Sequence, residues 1–342
     1  MRKKYPRMPW ILAAVLVLAS VFYTLPYYIS KPGLAKELEP IIEVEGGYDE
    51  EGSFMLTTVR MGRANIYTYL MATFSKYQVV YPLEDILRPD ESEQEYNQKQ
   101  LHLMEGSKAS AIEAAYKKAG LPVDYRYNGV YVMEVVPGMP AEGKLEVGDR
   151  LLKVDGKTLK SRDEFMKYLA EKKAGESIEL VLTRNNKERT VSVDLKTFKE
   201  DPKRAGLGVA IVDDREIIVE PEVEIKTDEI GGPSAGLMFS LEIYNQLTKD
   251  DLTKGYEIAG TGTLSEGIVG PIGGIELKIV AADKAGADIF FAPNQKGAKD
   301  SNYRAAVKTA KDIGTEMKIV PVDTFDDAVD YLEKLKPEKE GR

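Results

Sequence analysis

The sequence predicts an α+β protein built from more than one folded unit behind a single apolar amino-terminal helix. Three observations carry this. An uncharged run of 23 residues, Met8 to Ser30, follows a basic cluster. Residues 124–200 alternate in the two-residue period of half-buried strands. Residues 206–335 alternate strand-like and helix-like patterns around two glycine-framed segments. A chain of 342 residues accommodates two or three such units. Its 43% hydrophobic and 30% charged content is that of a globular protein and excludes a disordered one.

As a helix, Met8–Ser30 is roughly 34 Å long, enough to cross a hydrocarbon layer of ~30 Å. Trp10 and the tyrosines Tyr23, Tyr27 and Tyr28 lie towards its ends, as interfacial anchors do. Arg2, Lys3, Lys4 and Arg7 precede it and place that end in the cytoplasm. The expectation is a single-pass transmembrane anchor over 8–30, with the cell membrane as a partner and the remaining chain outside. A cleavable signal peptide is the competing reading, but its apolar region is shorter, and Leu18-Ala19-Ser20 is the nearest imitation of a cleavage site. The absence of cysteine fits an exported protein without disulfides and excludes a thiol enzyme. A net charge of -9 argues against a nucleic-acid partner, which needs a basic face.

Residues 31–50 read as a stem punctuated by Pro and Gly. Phe54, Leu56 and Thr58 suggest a strand, followed by a helix from about Arg63 to Phe74. The polar stretch from Glu91 to Lys118 has helical composition, with Ile112, Tyr116 and Ala119 at helical spacing.

Residues 124–200 are more legible. Val130, Val132, Glu134 and Val136 alternate with other apolar residues and end at Pro137-Gly138. Ser161 with Glu164 makes a capping box that opens a helix with Phe165, Tyr168 and Leu169 on one face. Ile178, Leu180 and Leu182 then alternate, Asn185-Asn186 turns, and Val191, Val193 and Leu195 return. With Val135-Val136-Pro137-Gly138-Met139-Pro140-Ala141, Gly148-Asp149 and Val154-Asp155-Gly156, this segment resembles a PDZ domain of the bacterial protease-associated type. The resemblance implies a peptide added as a strand beside Gly129–Val136, gripped at Asn128, Gly129, Val130 and Tyr131. Asn128 departs from the pattern, since an apolar residue is usual there. The plainer reading is a β-rich module that packs on its neighbour and binds nothing.

Nucleotide and metal chemistry find no motif. Gly156-Lys157-Thr158 imitates the end of a phosphate-binding loop, but the earlier glycine is replaced by Leu151. Gly260-Thr261-Gly262 fails as a dinucleotide fingerprint at Ser265, and no HExxH occurs. No nucleotide, metal or other cofactor is expected.

Residues 206–212 and 216–225 read as strands joined through Asp213-Asp214, and Pro233 to about Leu247 as a helix with Leu237, Leu241 and Tyr244 on one side. Gly231-Gly232-Pro233-Ser234-Ala235-Gly236 then places Ser234 in the first helical turn. Unpaired N–H groups and the positive end of the macrodipole suit an oxyanion there, with Gly232 and Ala235 as supporting residues. Alone, the hexapeptide is equally a plain glycine turn with a serine cap.

A second segment, Gly273-Gly274-Ile275-Glu276-Leu277-Lys278, separates the two readings. On a helix from Ile275 to Ala285, the neighbours of Lys278 three and four residues away are Gly274, Ile275, Ala281 and Ala282, none of them a carboxylate. Lys284, by contrast, has Asp288 four residues on and reads as a solvated lysine. The sole histidine, His102, sits in a polar stretch far from both glycine segments. If Ser234 is a nucleophile, Lys278 is its base. Working near neutral pH requires about three units off a lysine pKa of ~10.4, roughly 4 kcal/mol against the charged form, from burial and the nearby helix dipole.

Gly232-Pro233-Ser234-Ala235-Gly236, Thr261-Gly262, Pro271-Ile272-Gly273-Gly274 with Lys278, Ala285-Gly286 and Ile289–Pro293 resemble the proteolytic domain of Lon-type serine proteases, with 44 positions between serine and lysine. The resemblance implies Ser234 as nucleophile, Lys278 as general base and Thr261 beside the amine. Gly231 stands where many members have aspartate, and the ATPase module of soluble Lon enzymes has no counterpart. The order of anchor, PDZ and Lon-type units is similar to the membrane-anchored, PDZ-containing Lon-like proteases with a Ser-Lys dyad in Gram-positive bacteria. That implies an ATP-independent serine endopeptidase, possible as a ring-like homo-oligomer, processing extended secreted peptides or small membrane proteins outside the cytoplasm. The units are then the anchor at 8–30, a stem and the amino-terminal part of the protease fold at 31–123, a PDZ-like domain at 124–200 and a Lon-type proteolytic domain at 206–335. The rival readings are a non-catalytic membrane scaffold recruiting partners through the PDZ unit, and an acyltransferase or esterase using the same two residues.

Overall fold

The structure is a computed structural model and describes residue 18 and residues 20–89, 91–198, 201, 204–227 and 230–338. Residues 8–17 and 19 of the expected anchor lie outside the described residues. Its other end is a strand, Thr24–Glu37 (β1), and no helix among the described residues is long and apolar enough to cross a membrane. The expected helix to Ser30 is therefore corrected, together with the single-pass topology, the membrane partner and the extracytoplasmic placement that rested on it. Leu25, Tyr27 and Ile29 are apolar at the two-residue spacing of a strand, and hydropathy alone does not distinguish that from a helix. Ile29 packs on Ala64 and Ala72 instead.

The expected stem is likewise ordered. It contributes β1 and the short strand Ile42–Val44 (β2). Ser53–Asn65 (β3) runs antiparallel to β1, and Ile66–Phe74 (α1) follows, closed by a capping box between Asn65 and Thr68. Val79–Pro82 (β4) adds to the other edge of β1. Glu93–Lys118 (α2) starts at a capping box between Ser92 and Glu95.

The β-rich module is a sheet of Val123–Val135 (β5), Arg150–Val154 (β6), Ser177–Arg184 (β7) and Lys187–Asp194 (β8), covered by Arg162–Ala170 (α3). Asn185 and Asn186 both take positive φ, 51° and 58°, which is the backbone a two-residue hairpin turn demands. Phe165, Leu151 and Leu180 centre its core. The two strands expected at 206–212 and 216–225 are instead one long strand, Val209–Val219 (β9), and a short one, Val223–Ile225 (β10). Asp213 and Asp214 do not break β9, because they pair with Val130 and Gly129 of β5 in the middle of the ladder.

The remaining chain supplies Gly236–Leu247 (α4), Glu257–Gly260 (β11), the hairpin Thr263–Ser265 (β12) and Ile268–Gly270 (β13), Ile275–Ala285 (α5), Ile289–Pro293 (β14), Asn302–Ile313 (α6), Lys318–Val322 (β15) and Phe325–Glu333 (α7). One six-stranded sheet runs β15-β14-β11-β3-β1-β4. In it β11 lies parallel to β3, with Glu257 beside Ser53 and Gly260 beside Leu56. Residues on both sides of the β-rich module thus share one sheet and one core, in which Phe54, Leu56 and Tyr116 pack with Leu237, Phe239 and Phe291.

Candidate functional site

Ser234 sits just ahead of α4 rather than within its first turn: Ala235 is the N-cap and Gly236 the first helical residue. Its loop is fastened from both sides. Thr261 Oγ1 and the Gly262 N–H both donate to the Ser234 carbonyl at 2.9 Å. The Gly232 N–H donates to the Gln100 carbonyl of α2 at 2.8 Å, and Ser107 Oγ donates to the Pro233 carbonyl at 3.2 Å. Gly232 holds φ +92°, a conformation that favours glycine, and a Cβ on Gly231 would lie 2.8 Å from Gln100 Cβ.

Lys278 projects from α5, which begins at the left-handed Gly274. The residue is 4% exposed. Its Nζ donates to the Thr57 carbonyl of β3 at 2.6 Å and lies 3.0 Å from Ser234 Oγ. Among the described residues no carboxylate faces it, and burial pulls its pKa down to about 7. Both side chains line one cleft of about 1040 Å³, walled by β3, the Gly231–Ala235 loop and Pro271–Gly273.

Two supporting roles differ from expectation, those of Gly232 and Thr261. The Gly232 N–H is already spent on Gln100 and is not available to an oxyanion, whereas the N–H groups of Ser234 and Ala235 find no acceptor among the described residues. Thr261 holds the backbone of Ser234 and not the lysine amine. The amine is oriented by the Thr57 carbonyl, whose own side chain donates to the Gly260 carbonyl at 2.9 Å. A backbone acceptor more than two hundred positions away carries no residue-type signal, and sequence reading does not find it. His102 does not line the cleft: it stacks on Tyr131 of β5 at 3.9 Å and lines a separate groove with Arg150 and Asp214.

The expected peptide edge at Asn128, Gly129, Val130 and Tyr131 is not open. β5 pairs with β9 along one side and with β6 along the other, which leaves no ladder position for an added strand there. The sheet's outer strands are β9 and β8, and β9 is the one beside β5. Beside it lies a groove of about 150 Å³ against α3, lined by Phe165, Leu169, Phe198, Leu207, Val209 and Ile211. The signal for it in the sequence is the glycine turn at Leu207-Gly208 before β9.

Comparison with known proteins finds two domain families, whose matched ranges overlap at 187–195. Residues 113–195 match the PDZ domain family, and residues 187–334 match the Lon protease (S16) C-terminal proteolytic domain. The chain is 37% identical over 111 residues to a Lon protease of Campylobacter concisus, covering 32% of this chain and 12% of that one. It is 33% identical over 144 residues to Lon protease 1 of Myxococcus xanthus, covering 41% of this chain and 16% of that one. The chain thus spans less than a fifth of the length of these relatives. The solved PDZ domain of the SdrC-like protein from Listeria monocytogenes is 32% identical, with 25% of this chain and 90% of that one covered and a TM-score of 0.24. The chain carries a Lon-type proteolytic domain, an enzymatic domain of the serine-protease class, joined to a PDZ domain. The narrower resemblance to a membrane-anchored Gram-positive group is corrected: the matches reach the two domains and supply neither an anchor nor a Gram-positive origin.

Proposed function

We propose that the chain is a serine endopeptidase that cleaves extended peptides without ATP, with Ser234 as nucleophile and neutral Lys278 as general base. The observation that carries this is the 3.0 Å approach of a buried, carboxylate-free amine to a hydroxyl at a helix entrance. The neutral amine accepts the Ser234 proton as Oγ attacks the peptide carbonyl, and the Ser234 and Ala235 N–H groups take the developing oxyanion. The resulting ammonium returns its proton to the leaving amine, and water then releases the acyl group by the reverse sequence. Substrate is proposed to enter as a strand. Among the described residues the β11 side of β3 is paired only to Leu56, which leaves the edge from Thr57 onwards to take an extended chain beside the reactive pair. The groove between α3 and β9 is proposed to dock a second stretch of peptide by strand addition.

The test is cleavage of an unstructured peptide mixture by the purified protein, Ser234→Ala and Lys278→Ala, with circular dichroism to establish that each variant is folded. Wild type should cleave and both variants should not. Equal cleavage by all three overturns the reading.

A further inference from the structure

The cleft around Ser234 differs in charge from the molecule that surrounds it. The chain carries 56 Asp and Glu residues and a net charge of -9, yet none of the described residues lining the cleft is acidic. Three are basic residues: Lys278, Lys36 and Arg60. Lys278 is buried and its pKa is lowered to about 7 by burial. Lys36 and Arg60 are exposed on β1 and β3, and neither makes an ion pair among the described residues. Arg60 is moreover directly opposite Lys31 in the β1–β3 ladder. Like charges at facing positions disfavour one another, so this pairing lowers stability unless something negative lies beside it.

We propose that this cleft selects extended peptides carrying an acidic side chain, which Arg60 grips on one side of the scissile bond with Lys36 adding to the field on the other. This rests on the peptidase reading given above. The register sets the spacing. Lys278 reaches β3 at the Thr57 carbonyl, Lys36 faces Leu56, and Arg60 lies three residues beyond Thr57. At about 3.3 Å per residue, Arg60 stands roughly 10 Å along the strand from the reactive pair. A peptide paired with the free edge of β3 therefore presents the residue about three positions from the bond that is cut. A carboxylate there meets a guanidinium that can bind it through two hydrogen bonds, whereas a lysine meets like charge.

The experiment uses end-blocked peptides of one apolar sequence, each carrying a single Glu, Gln or Lys moved through successive positions. Blocking the ends removes the terminal charges. Binding is read by fluorescence anisotropy on Ser234→Ala, and cleavage by mass spectrometry on wild type. At one position, about three residues from the cut, Glu should bind roughly fivefold more tightly than Gln, with Lys weakest, and the preference should shrink in high salt. Arg60→Glu in the Ser234→Ala background should reverse the order, and Arg60→Gln, the milder change, should flatten it. Equal binding of the three peptides, a preference for Lys, or a Glu preference untouched by both Arg60 variants overturns the proposal, whether or not wild type cleaves. Cleavage is a separate readout: binding with the stated preference but no cleavage by wild type overturns the peptidase reading and leaves charge selection standing.

Discussion

The carbonyl oxygen of Thr57 lies 2.6 Å from Nζ of Lys278, a hydrogen bond between residues 221 positions apart. It joins the strand that precedes the PDZ domain to the helix that follows it. A neutral amine has two hydrogens and one lone pair. Committing a hydrogen to Thr57 fixes the nitrogen's orientation and favours a lone pair aimed at Ser234 Oγ, 3.0 Å away. Four predictions follow from this arrangement and from the buried acids behind it.

The first concerns pH. Burial lowers the Lys278 pKa to about 7, so the neutral, proton-accepting form dominates above that value and is lost below it. In a peptide cleavage assay, kcat/KM should rise about tenfold per pH unit up to near 7 and then level off. Lys278→Arg should be inactive throughout, because guanidinium stays charged. A profile with no inflection near neutrality would contradict a buried lysine base.

Removing the support of Thr57 tests orientation apart from charge. Thr57→Val keeps the shape but deletes the bond from Oγ1 to the Gly260 carbonyl. The loss should cost about 1 kcal/mol in urea denaturation. A displaced Thr57 carbonyl should lower kcat several-fold with little change in KM, measured on the same peptide. A change confined to KM would place Thr57 in substrate binding instead.

Gly232→Ala probes the nucleophile loop. At φ +92° an alanine is strained by roughly 1–3 kcal/mol, and relief moves the loop off Gln100. Cleavage should fall about a hundredfold, as it does when reacting groups shift by about an ångström, while the protein stays folded. Peptide turnover and a thermal melt measured together distinguish this from simple unfolding.

The fourth prediction lies behind α4. Glu242 is fully buried, with Oε1 accepting from Gln246 Nε2, while Oε2 finds no donor among the described residues. Glu50 accepts from Asn245 Nδ2, and its other oxygen is equally without a donor. Burial raises the pKa of both, helped at Glu50 by the charges of Glu242 and Asp251, and at Glu242 by those of Glu39 and Asp251. A carboxyl whose folded pKa is raised contributes stability that is complete below its ordinary value of 4.5 and is lost as pH climbs through the folded value. The urea midpoint should therefore fall as pH increases from about 5 upwards. Glu242→Gln, which retains an acceptor for Gln246, should flatten that decline; an unchanged pH slope would show that Glu242 does not titrate.

Local sequence points to Ser234 and Lys278 because each sits in a short pattern whose meaning survives without the rest of the fold. One is a glycine turn before a helix, and the other is a lysine with only small and apolar neighbours. The PDZ module is readable for the same reason, since its alternation, its Asn185-Asn186 turn and its helix are local. Thr57 and Gln100 act through backbone carbonyls and are silent in residue type. The proposed peptide edge differs from the expected one because strand order is a matter of long-range pairing: Gly129–Val136 has the right pattern, but β5 is interior to the sheet and β9 forms its edge. The amino-terminal misreading has a third cause. An apolar run records that a segment avoids water, not whether a hydrocarbon layer or a neighbouring strand provides the shelter.

The parallel pairing of Ser53–Leu56 with Glu257–Gly260 also fixes when the protein can first act during its synthesis. Until the ribosome has passed Gly260, β3 lacks its parallel neighbour, and until it has passed Thr261 the loop before α4 lacks that fastening; Lys278, proposed as the base, is made later still. On the proposed peptidase reading, a nascent or prematurely terminated chain that stops short of Lys278 lacks its base and is inert.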